Sequence, residues 1–246
     1  MSEWWTYRPS DFVMFSARSY YRLFELYNAA LWPAHAIAIA LGVALVATLA
    51  WASARHPMPA WPQRVCCVLL AAAWLWVGVG YHAQRFASIN SAASGYAVAF
   101  TLQGMLLLAL ALGSEGSGSR RRAPHLGPDA CTRWTGLGLL AYAVFLHPLV
   151  GSLFGRPIGQ AEVAGLAPDP TAVATLGLLL LLPRTHASLR RGLQRAAWAV
   201  ALAWCALSSL TLATLGAPEA WALPLLCMAA VMAAWWRARQ SQGQPG

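Results

Sequence analysis

Seven long apolar stretches follow one another along the chain and limit what it can fold into. They lie at 34–51, 65–81, 95–112, 134–151, 171–183, 196–215 and 220–236. A helix needs roughly 20 residues to cross the hydrocarbon core of a bilayer. Of the 246 residues, 59% are hydrophobic and only 10% are charged, too few charges to cover the surface of a soluble domain. The sequence therefore predicts an all-α integral membrane bundle of about seven transmembrane helices.

The fifth apolar stretch is the shortest. Its uninterrupted part of about 13 residues covers only ~20 Å at ~1.5 Å per residue, less than the ~30 Å thickness of the hydrocarbon core. Two interpretations remain open. The helix continues past Pro183 towards Leu189 and crosses the membrane, or it forms a re-entrant half-helix.

The arginines predict the orientation, because basic loops tend to stay in the cytoplasm. All seventeen basic residues are arginines. With seven spans, Arg85, Arg156 and three arginines of the N-terminal segment share one side, and the other twelve share the opposite side. This distribution predicts an N-terminus outside and a C-terminus in the cytoplasm. Without the fifth span, the two sides would hold eleven and six arginines and the predicted orientation would reverse.

The segment that precedes the first span has an amphipathic pattern. Between Ser16 and Asn28, large apolar residues fall on one helical face and charged residues on the other. Trp4, Trp5 and Tyr7 lie ahead of this helix, and such aromatic residues are typical of membrane interfaces. The pattern predicts an amphipathic helix that lies in the interface. Because its charges are balanced, the segment does not resemble a secretory signal.

These patterns divide the chain into one membrane domain with flanking segments. The predicted parts are an interfacial segment at 1–33, a transmembrane domain at 34–236 with a flexible arginine-rich loop at 113–133, and a disordered tail at 237–246.

Sequence motifs for cofactors and catalysis are lacking. The five cysteines show no CxxC or Cys/His spacing, the histidines form no HxxxH or HExxH pair, and no GxSxG is present. The sequence therefore predicts no metal site, no cofactor and no catalytic residue, and favours a protein that is not an enzyme. The arginines are explained by membrane orientation, so nucleic-acid binding is not predicted. The predicted partner is the lipid bilayer, with a small polar solute and a membrane protein as further candidates.

Three stretches carry a family resemblance: the opening "MSEWWTYRPSDFVMFSARSYYRLFELYNAALWPAH", then "FASINSAA", then "GRPIGQAEVAGLAPDPTAVATLGLLLLLP". In order and spacing they resemble a family of small bacterial multi-pass membrane proteins, classed as a domain of unknown function and sometimes labelled permease. The resemblance implies a multi-pass protein of the bacterial inner membrane. In that family the position of Asp169 is often cysteine, which weakens a thiol or metal role for this residue.

Two polar loops, 82–94 and 152–171, share the outer side with the N-terminal helix in the seven-span topology. Together they can roof a cavity between the helices, where irregular backbone is tolerated if it contacts protein or water. The candidate binding residues in and beside these loops are His82, Arg85, Asn90, His147, Arg156 and Asp169.

Each candidate also has a structural interpretation. Asp169 before Pro170 is typical of a helix N-cap, and Asn90 can cap the following helix. Arg85 and Arg156 either clamp an anionic group or form salt bridges with Asp169 and Glu162. The histidines either approach one another and bind a metal or relay protons, or form hydrogen bonds at helix ends.

Three functions are compatible with this pattern. The leading hypothesis is a small-solute permease or transport-associated protein with a water-accessible cavity near the outer ends of spans two to five. The alternative is a membrane scaffold or accessory subunit, which predicts a tightly packed bundle without a solute pathway. A membrane-embedded metalloenzyme is the third hypothesis and requires histidines and acids that converge. The scarcity of acidic residues within the spans argues against an ion-coupled pump.

Overall fold

The computed structural model describes residues 11, 13–55, 59–113, 128–183 and 187–240. Within these residues the chain is all-helical and forms no β-strand. The helices are α1 (Ala17–Leu31), α2 (Ala34–Ser53), α3 (Trp61–Trp76), α4 (Ala93–Leu112), α5 (Ala130–Ala141), α6 (His147–Leu153), α7 (Pro168–Leu181), α8 (Ser188–Thr214) and α9 (Ala222–Gln240). A π-helical segment, Val77–Ala83, continues α3, and another, Tyr142–Leu146, joins α5 to α6.

Within the described ranges, six helical segments are long and apolar enough to cross a membrane. They are Ala34–Ser53, Trp61–Ser88, Ala93–Leu112, Ala130–Leu153, Ser188–Thr214 and Pro218–Gln240. Five of them contain one of the apolar stretches predicted from the sequence, and Ser188–Thr214 covers all of the stretch 196–215 except its last residue. Large apolar side chains such as Ile37, Met105 and Met232 are exposed on the outside of the bundle. Exposed apolar surface of this kind is expected where helices face lipid tails, and it supports a membrane bundle.

The fifth apolar stretch forms α7, which is too short to count among these six. It has 14 residues, and all of them are buried. Helices α3, α5, α8 and α9 pack around it. At ~1.5 Å per residue its length is about 21 Å. A helix enclosed by protein on every side need not match the thickness of the bilayer, which explains how so short an apolar segment fits the bundle.

The residues around each end of α7 define the two ends of the bundle. Near its C-terminus, Gln63 Nε2 donates to the carbonyl of Leu181, and Arg237 Nη1 donates to the carbonyls of Leu180 and Leu182. We call this the Arg237 end. Near the N-terminus of α7 lie α1, the loop 154–167 and the turn Pro218–Trp221. We call this the Arg156 end, and α7 runs from it to the Arg237 end.

Helix α1 has the amphipathic character predicted for it. Tyr20, Phe24 and Tyr27 form its buried face. The Phe24 ring stacks on Tyr81 with centroids 5.0 Å apart, and Tyr27 Oη donates to the carbonyl of Leu166 over 3.1 Å. The aromatic face of this helix therefore packs on protein, and not on lipid alone as an interfacial helix would. Trp4, Trp5 and Tyr7, which were predicted to precede it in the interface, lie outside the described residues.

The predicted tail begins too early. Helix α9 continues to Gln240, so 237–240 are helical and not part of a disordered tail. Arg237 explains the extension, because its guanidinium binds carbonyls at the end of α7 and holds the last turn against the bundle. The remaining positions of the tail, 241–246, and most of the predicted arginine-rich loop, 114–127, lie outside the described residues.

Candidate functional site

The loop between α6 and α7 enters the bundle and carries an acidic residue with it. Gly155 and Gly165 have φ angles of 84° and 89°, in the left-handed region that favours glycine. Between them the side chain of Glu162 is 5% exposed. The turn into α7 is closed by Thr171, whose Oγ1 accepts from the amide of Gly165 and donates to the carbonyl of Ala167. The loop therefore places a carboxylate inside a helical bundle.

Glu162 belongs to a group of ionisable side chains that we call the buried ionic cluster: His147, Arg156, Glu162, Asp169 and Glu219. Arg156 Nη2 lies 2.8 Å from Glu219 Oε1, and Arg156 Nη1 lies 3.7 Å from Glu162 Oε1. His147 Nε2 lies 3.8 Å from Glu162 Oε2. These residues come from α6, the loop, α7 and the turn before α9. The cluster therefore joins four segments at the Arg156 end.

Asp169 is held by two donors from α8. Trp204 Nε1 donates to Asp169 Oδ1 over 2.8 Å, and Ser208 Oγ donates to Asp169 Oδ2 over 2.7 Å. The N-cap interpretation of Asp169 is wrong, because α7 begins at Pro168 and the residue at its N-cap, Ala167, makes no side-chain cap. The carboxylate turns towards α8 and away from the amides of its own helix.

Arg156 connects the cluster to the N-terminal helix. Its guanidinium carbon lies 4.3 Å from the ring centroid of Tyr21 on α1, and Tyr21 Oη donates to Glu219 Oε1 over 3.4 Å. Burial, and after it the negative charge of Glu219, raises the pKa of the Tyr21 phenol well above its usual range. The phenol stays protonated and remains a donor to this carboxylate.

Five atoms in and beside the cluster lack hydrogen-bond partners among the described residues: Glu162 Oε2, His147 Nδ1, Tyr142 Oη, and Nε and Nη1 of Arg156. Buried polar atoms are normally paired, so five unpaired atoms in one place require an explanation. The ligand-type atoms of His147, Glu162 and Asp169 all lie within 4.8 Å of one another. Imidazole nitrogen and carboxylate oxygen are common metal ligands, and these three residues are the ones that can hold a metal ion here.

Of the six predicted binding residues, the structure brings His147, Arg156 and Asp169 together. The other three lie elsewhere. His82 is fully buried among aromatic rings, and the Trp204 ring, 5.0 Å away between centroids, stands between it and Asp169. Arg85 is exposed and forms no ion pair among the described residues. Asn90 Oδ1 accepts from the amide of Ala92 over 2.9 Å and shapes the turn before α4.

The cluster is closed to solvent. Glu162, Asp169 and Glu219 are 5%, 1% and 6% exposed. A small cavity of about 10 Å³, about enough for one water molecule, lies beside Trp204 and Ser208, the two donors to Asp169. The five residues predicted to line one cavity open to water do not line it together, because His82, Arg85 and Asn90 lie apart from His147 and Asp169.

The sequence did not point to Glu219, Trp204 or Ser208 as site residues, and it predicted Glu162 only as the partner of a salt bridge. One signal was available. Only eight residues of the chain are acidic, and Glu162, Asp169 and Glu219 stand in segments that border apolar stretches. Acidic residues at such positions are expensive and commonly functional. The two donors to Asp169 had no comparable signal, because Trp and Ser are ordinary residues of membrane helices.

The model of a family of unknown function, DUF6064, matches residues 17–244. The chain belongs to this family. No curated protein and no solved structure matches it. The DUF6064 match begins at the first residue of α1 and continues beyond the last described residue of α9. Helix α1, the loop 154–167 and the whole buried ionic cluster therefore lie within the DUF6064 region.

Proposed function

We propose that this protein is a small-solute permease or a transport-associated protein whose solute site is the buried ionic cluster. One observation carries the proposal: five ionisable side chains are gathered inside a bundle of otherwise apolar helices. Charged groups within a membrane protein are costly, and they commonly mark substrate or ion pathways. A scaffold gains nothing from such a group that apolar packing would not supply at lower cost.

The charges of the cluster favour a cation or a polar solute. The cluster holds three carboxylates, those of Glu162, Asp169 and Glu219, and a single guanidinium, that of Arg156, which pairs with Glu162 and Glu219. With a neutral imidazole at His147, the ionised cluster carries two excess negative charges. An anion would be repelled, whereas a cation would be attracted in a site where water screens little.

Two elements cover the site and would have to move to admit a solute. Asn28 on α1 donates to the carbonyls of Gly159 and Ala161, each over 2.8 Å, and Tyr21 contacts Arg156 and Glu219. Helix α1 and the loop 154–167 thus close the Arg156 end together. Closure of a site by a helix and a loop is common where a solute must be enclosed. In the proposed orientation in the inner membrane, this end faces the outside and the Arg237 end faces the cytoplasm.

One observation favours the second candidate, a scaffold or accessory subunit. The closed packing, which leaves Glu162 5% and Asp169 1% exposed, is also what a protein without a solute pathway would show. The two functions differ in one property. A permease must open its buried site to water, and a scaffold has no reason to do so.

Cysteine accessibility measures this property. The five native cysteines are replaced by alanine, and Ser208→Cys is introduced beside Asp169. We expect membrane-impermeant methanethiosulfonate reagents, applied from outside to cells, to modify this cysteine although Ser208 is 4% exposed in the closed structure. Labelling would report an opened state that reaches Asp169.

Two further variants serve as controls. Thr175→Cys lies deeper on α7, where Thr175 Oγ1 accepts from Trp74 Nε1 over 2.8 Å, and it should stay unlabelled. A variant that keeps only Cys131, which is exposed, should be labelled in opened membranes. If the Ser208→Cys protein accumulates normally but stays as unreactive as Thr175→Cys, the permease is contradicted and the scaffold is favoured.

A further inference from the structure

We infer that His147, Glu162 and Asp169 form a binding site for one divalent transition-metal ion. The inference rests on the assignment of the buried ionic cluster as the solute site in the proposed function, and it names the class of solute.

The distances fit a common ion. Bonds from zinc to histidine nitrogen and carboxylate oxygen are about 2.0–2.2 Å, so two ligands of one ion stand ~3.4 Å apart in a tetrahedron and about 4.2 Å apart at most. His147 Nε2 and Glu162 Oε2 are 3.8 Å apart, and all three ligand atoms lie within 4.8 Å of one another. Coordination of a tetrahedral ion would therefore draw the side chains together by up to ~1.4 Å, which is within the reach of side-chain rotation. A separation of 3.8 Å is too long for a direct hydrogen bond between the two side chains.

The unpaired atoms are an independent sign of a missing ligand. Glu162 is 95% buried, yet its Oε2, which faces His147 Nε2, has no hydrogen-bond partner among the described residues. The other oxygen of the same carboxylate faces Arg156. A cation between Glu162 and His147 would satisfy the orphaned oxygen. Tyr142 Oη is also unpaired, and its ring lies edge-on to that of His147 with centroids 5.7 Å apart.

The neighbours of Asp169 hold its carboxylate in an orientation that suits a metal ligand. Its two oxygens accept from Trp204 and Ser208, and each oxygen keeps a second lone pair for a metal. Outer donors of this kind fix the orientation of ligating carboxylates in metal sites. The carboxylate is therefore held in place before an ion arrives.

Charge and ligand type select the ion. The cluster has three carboxylates and one guanidinium, and a divalent cation would cancel the two remaining negative charges, as buried charges require. A monovalent cation would leave one charge uncompensated. Imidazole nitrogen favours zinc, iron, nickel and copper, and carboxylates also suit manganese, whereas magnesium and calcium prefer oxygen ligands alone. Arg156 pairs with Glu219 and with Glu162 Oε1, so one set of three ligand atoms, from His147, Glu162 and Asp169, is left for a single ion.

Equilibrium dialysis of the purified full chain in detergent against Zn²⁺, and separately against Mn²⁺, tests the inference. We expect one ion per wild-type chain, counted by elemental mass spectrometry. The near-isosteric substitutions Glu162→Gln and Asp169→Asn, together with His147→Ala, should each weaken binding at least tenfold. Glu25→Gln removes an exposed carboxylate that pairs with Arg22 outside the cluster, so this control should bind as the wild type does.

One spectroscopic and one thermal measurement complete the test. Bound Mn²⁺ should show ¹⁴N modulation from His147 in pulsed electron paramagnetic resonance, and this modulation should vanish in His147→Ala. Zn²⁺ should raise the melting temperature of the wild type and leave that of Glu162→Gln unchanged, because only a folded site binds the ion. The inference is overturned if the wild type retains no ion, if Glu162→Gln binds as tightly as the wild type, or if Mg²⁺ or Ca²⁺ binds more tightly than Zn²⁺ and Mn²⁺.

Failure of this inference and failure of the proposed function give different results. Proteoliposomes loaded with calcein report Mn²⁺ entry by loss of fluorescence. Stoichiometric binding without entry, and without labelling of Ser208→Cys, would support the metal site and contradict the permease. Labelling of Ser208→Cys without any metal binding would contradict the metal site and leave the permease with a different solute.

Discussion

The guanidinium of Arg156 occupies the space that a side chain on Gly151 would need. A Cβ atom built on Gly151 would lie 2.5 Å from three atoms of the guanidinium group, far inside the contact distance. The amide of Arg156 also donates to the carbonyl of Gly151 over 3.0 Å. Because position 151 has no side chain, the arginine can fold back over the end of α6 and reach Glu162 and Glu219.

The substitution Gly151→Ala should therefore disturb the buried ionic cluster, although Gly151 is not one of its members. The methyl group would push the guanidinium away, and two buried carboxylates would lose their cation. Removal of one partner from a buried ion pair costs about 3–5 kcal/mol, and we expect the free energy of unfolding to fall by up to this amount. Denaturant titration and thermal melting of the purified protein measure the loss.

Gly138→Ala is the matched control, since a Cβ there meets nothing within 4 Å. Its free energy of unfolding should change little, or rise by up to about 1 kcal/mol, because alanine is the better helix former. A Gly151→Ala protein as stable as this control would contradict the position of Arg156 described above.

A second close approach holds α7 in the centre of the bundle. A Cβ on Gly177 would lie 2.7 Å from the carbonyl oxygen of Gly136 on α5. Small residues at such crossings allow the backbones of membrane helices to approach. Gly177→Ala should separate the two helices and destabilise the protein by about 1–3 kcal/mol, as overpacked cores do. Gly192→Ala on α8, where the added Cβ meets nothing within 4 Å, should melt close to the wild-type temperature.

Much of the fold could be predicted from hydropathy, because lipid-facing helices must be long and apolar. The predicted stretch 95–112 lies within α4, Ala93–Leu112, and the amphipathic pattern between Ser16 and Asn28 corresponds to α1. The enclosure of α7 could not be predicted. Its apolar run has the same composition whether it faces lipid or protein, and only the packing of four other helices decides between them.

The site was harder to predict, because its contacts join segments far apart in the sequence. Trp204 and Ser208 lie 35 and 39 residues from Asp169, and they override the local preference of an Asp-Pro pair for capping a helix. His82 shows the opposite effect. A histidine in a polar loop pattern is a reasonable ligand, yet the π-helical end of α3 turns it into the aromatic core.

The attachment of α1 to the loop depends on Asn28. Its amide donates to the carbonyls of Gly159 and Ala161, and loss of each bond costs about 1 kcal/mol. Asn28→Ala should therefore speed hydrogen exchange in α1 and in the loop 154–167 by roughly tenfold or more, as local opening becomes easier. Hydrogen–deuterium exchange with mass spectrometry resolves both segments.

Arg22→Ala is the comparison for this change, because Arg22 pairs only with Glu25 on the exposed face of the same helix. Exposed pairs contribute little, and its exchange should match the wild type. Equal exchange in both variants would show that Asn28 does not fasten α1 to the loop.

Two adjacent serines on α8 donate hydrogen bonds to different acceptors, one in the buried ionic cluster and one in the helix itself. Ser208 Oγ donates to Asp169, whereas Ser209 Oγ donates to the carbonyl of Cys205 in its own helix. Ser208→Ala leaves a buried carboxylate oxygen without its donor, which costs about 1–3 kcal/mol. Ser209→Ala removes a bond of the kind worth ~0.6 kcal/mol in membrane helices, and the carbonyl keeps its place in the helix. Thermal melting of the two variants should therefore place Ser208→Ala clearly below Ser209→Ala. The reverse order would show that Asp169 does not depend on α8 and would remove the argument that its carboxylate is held ready for a ligand.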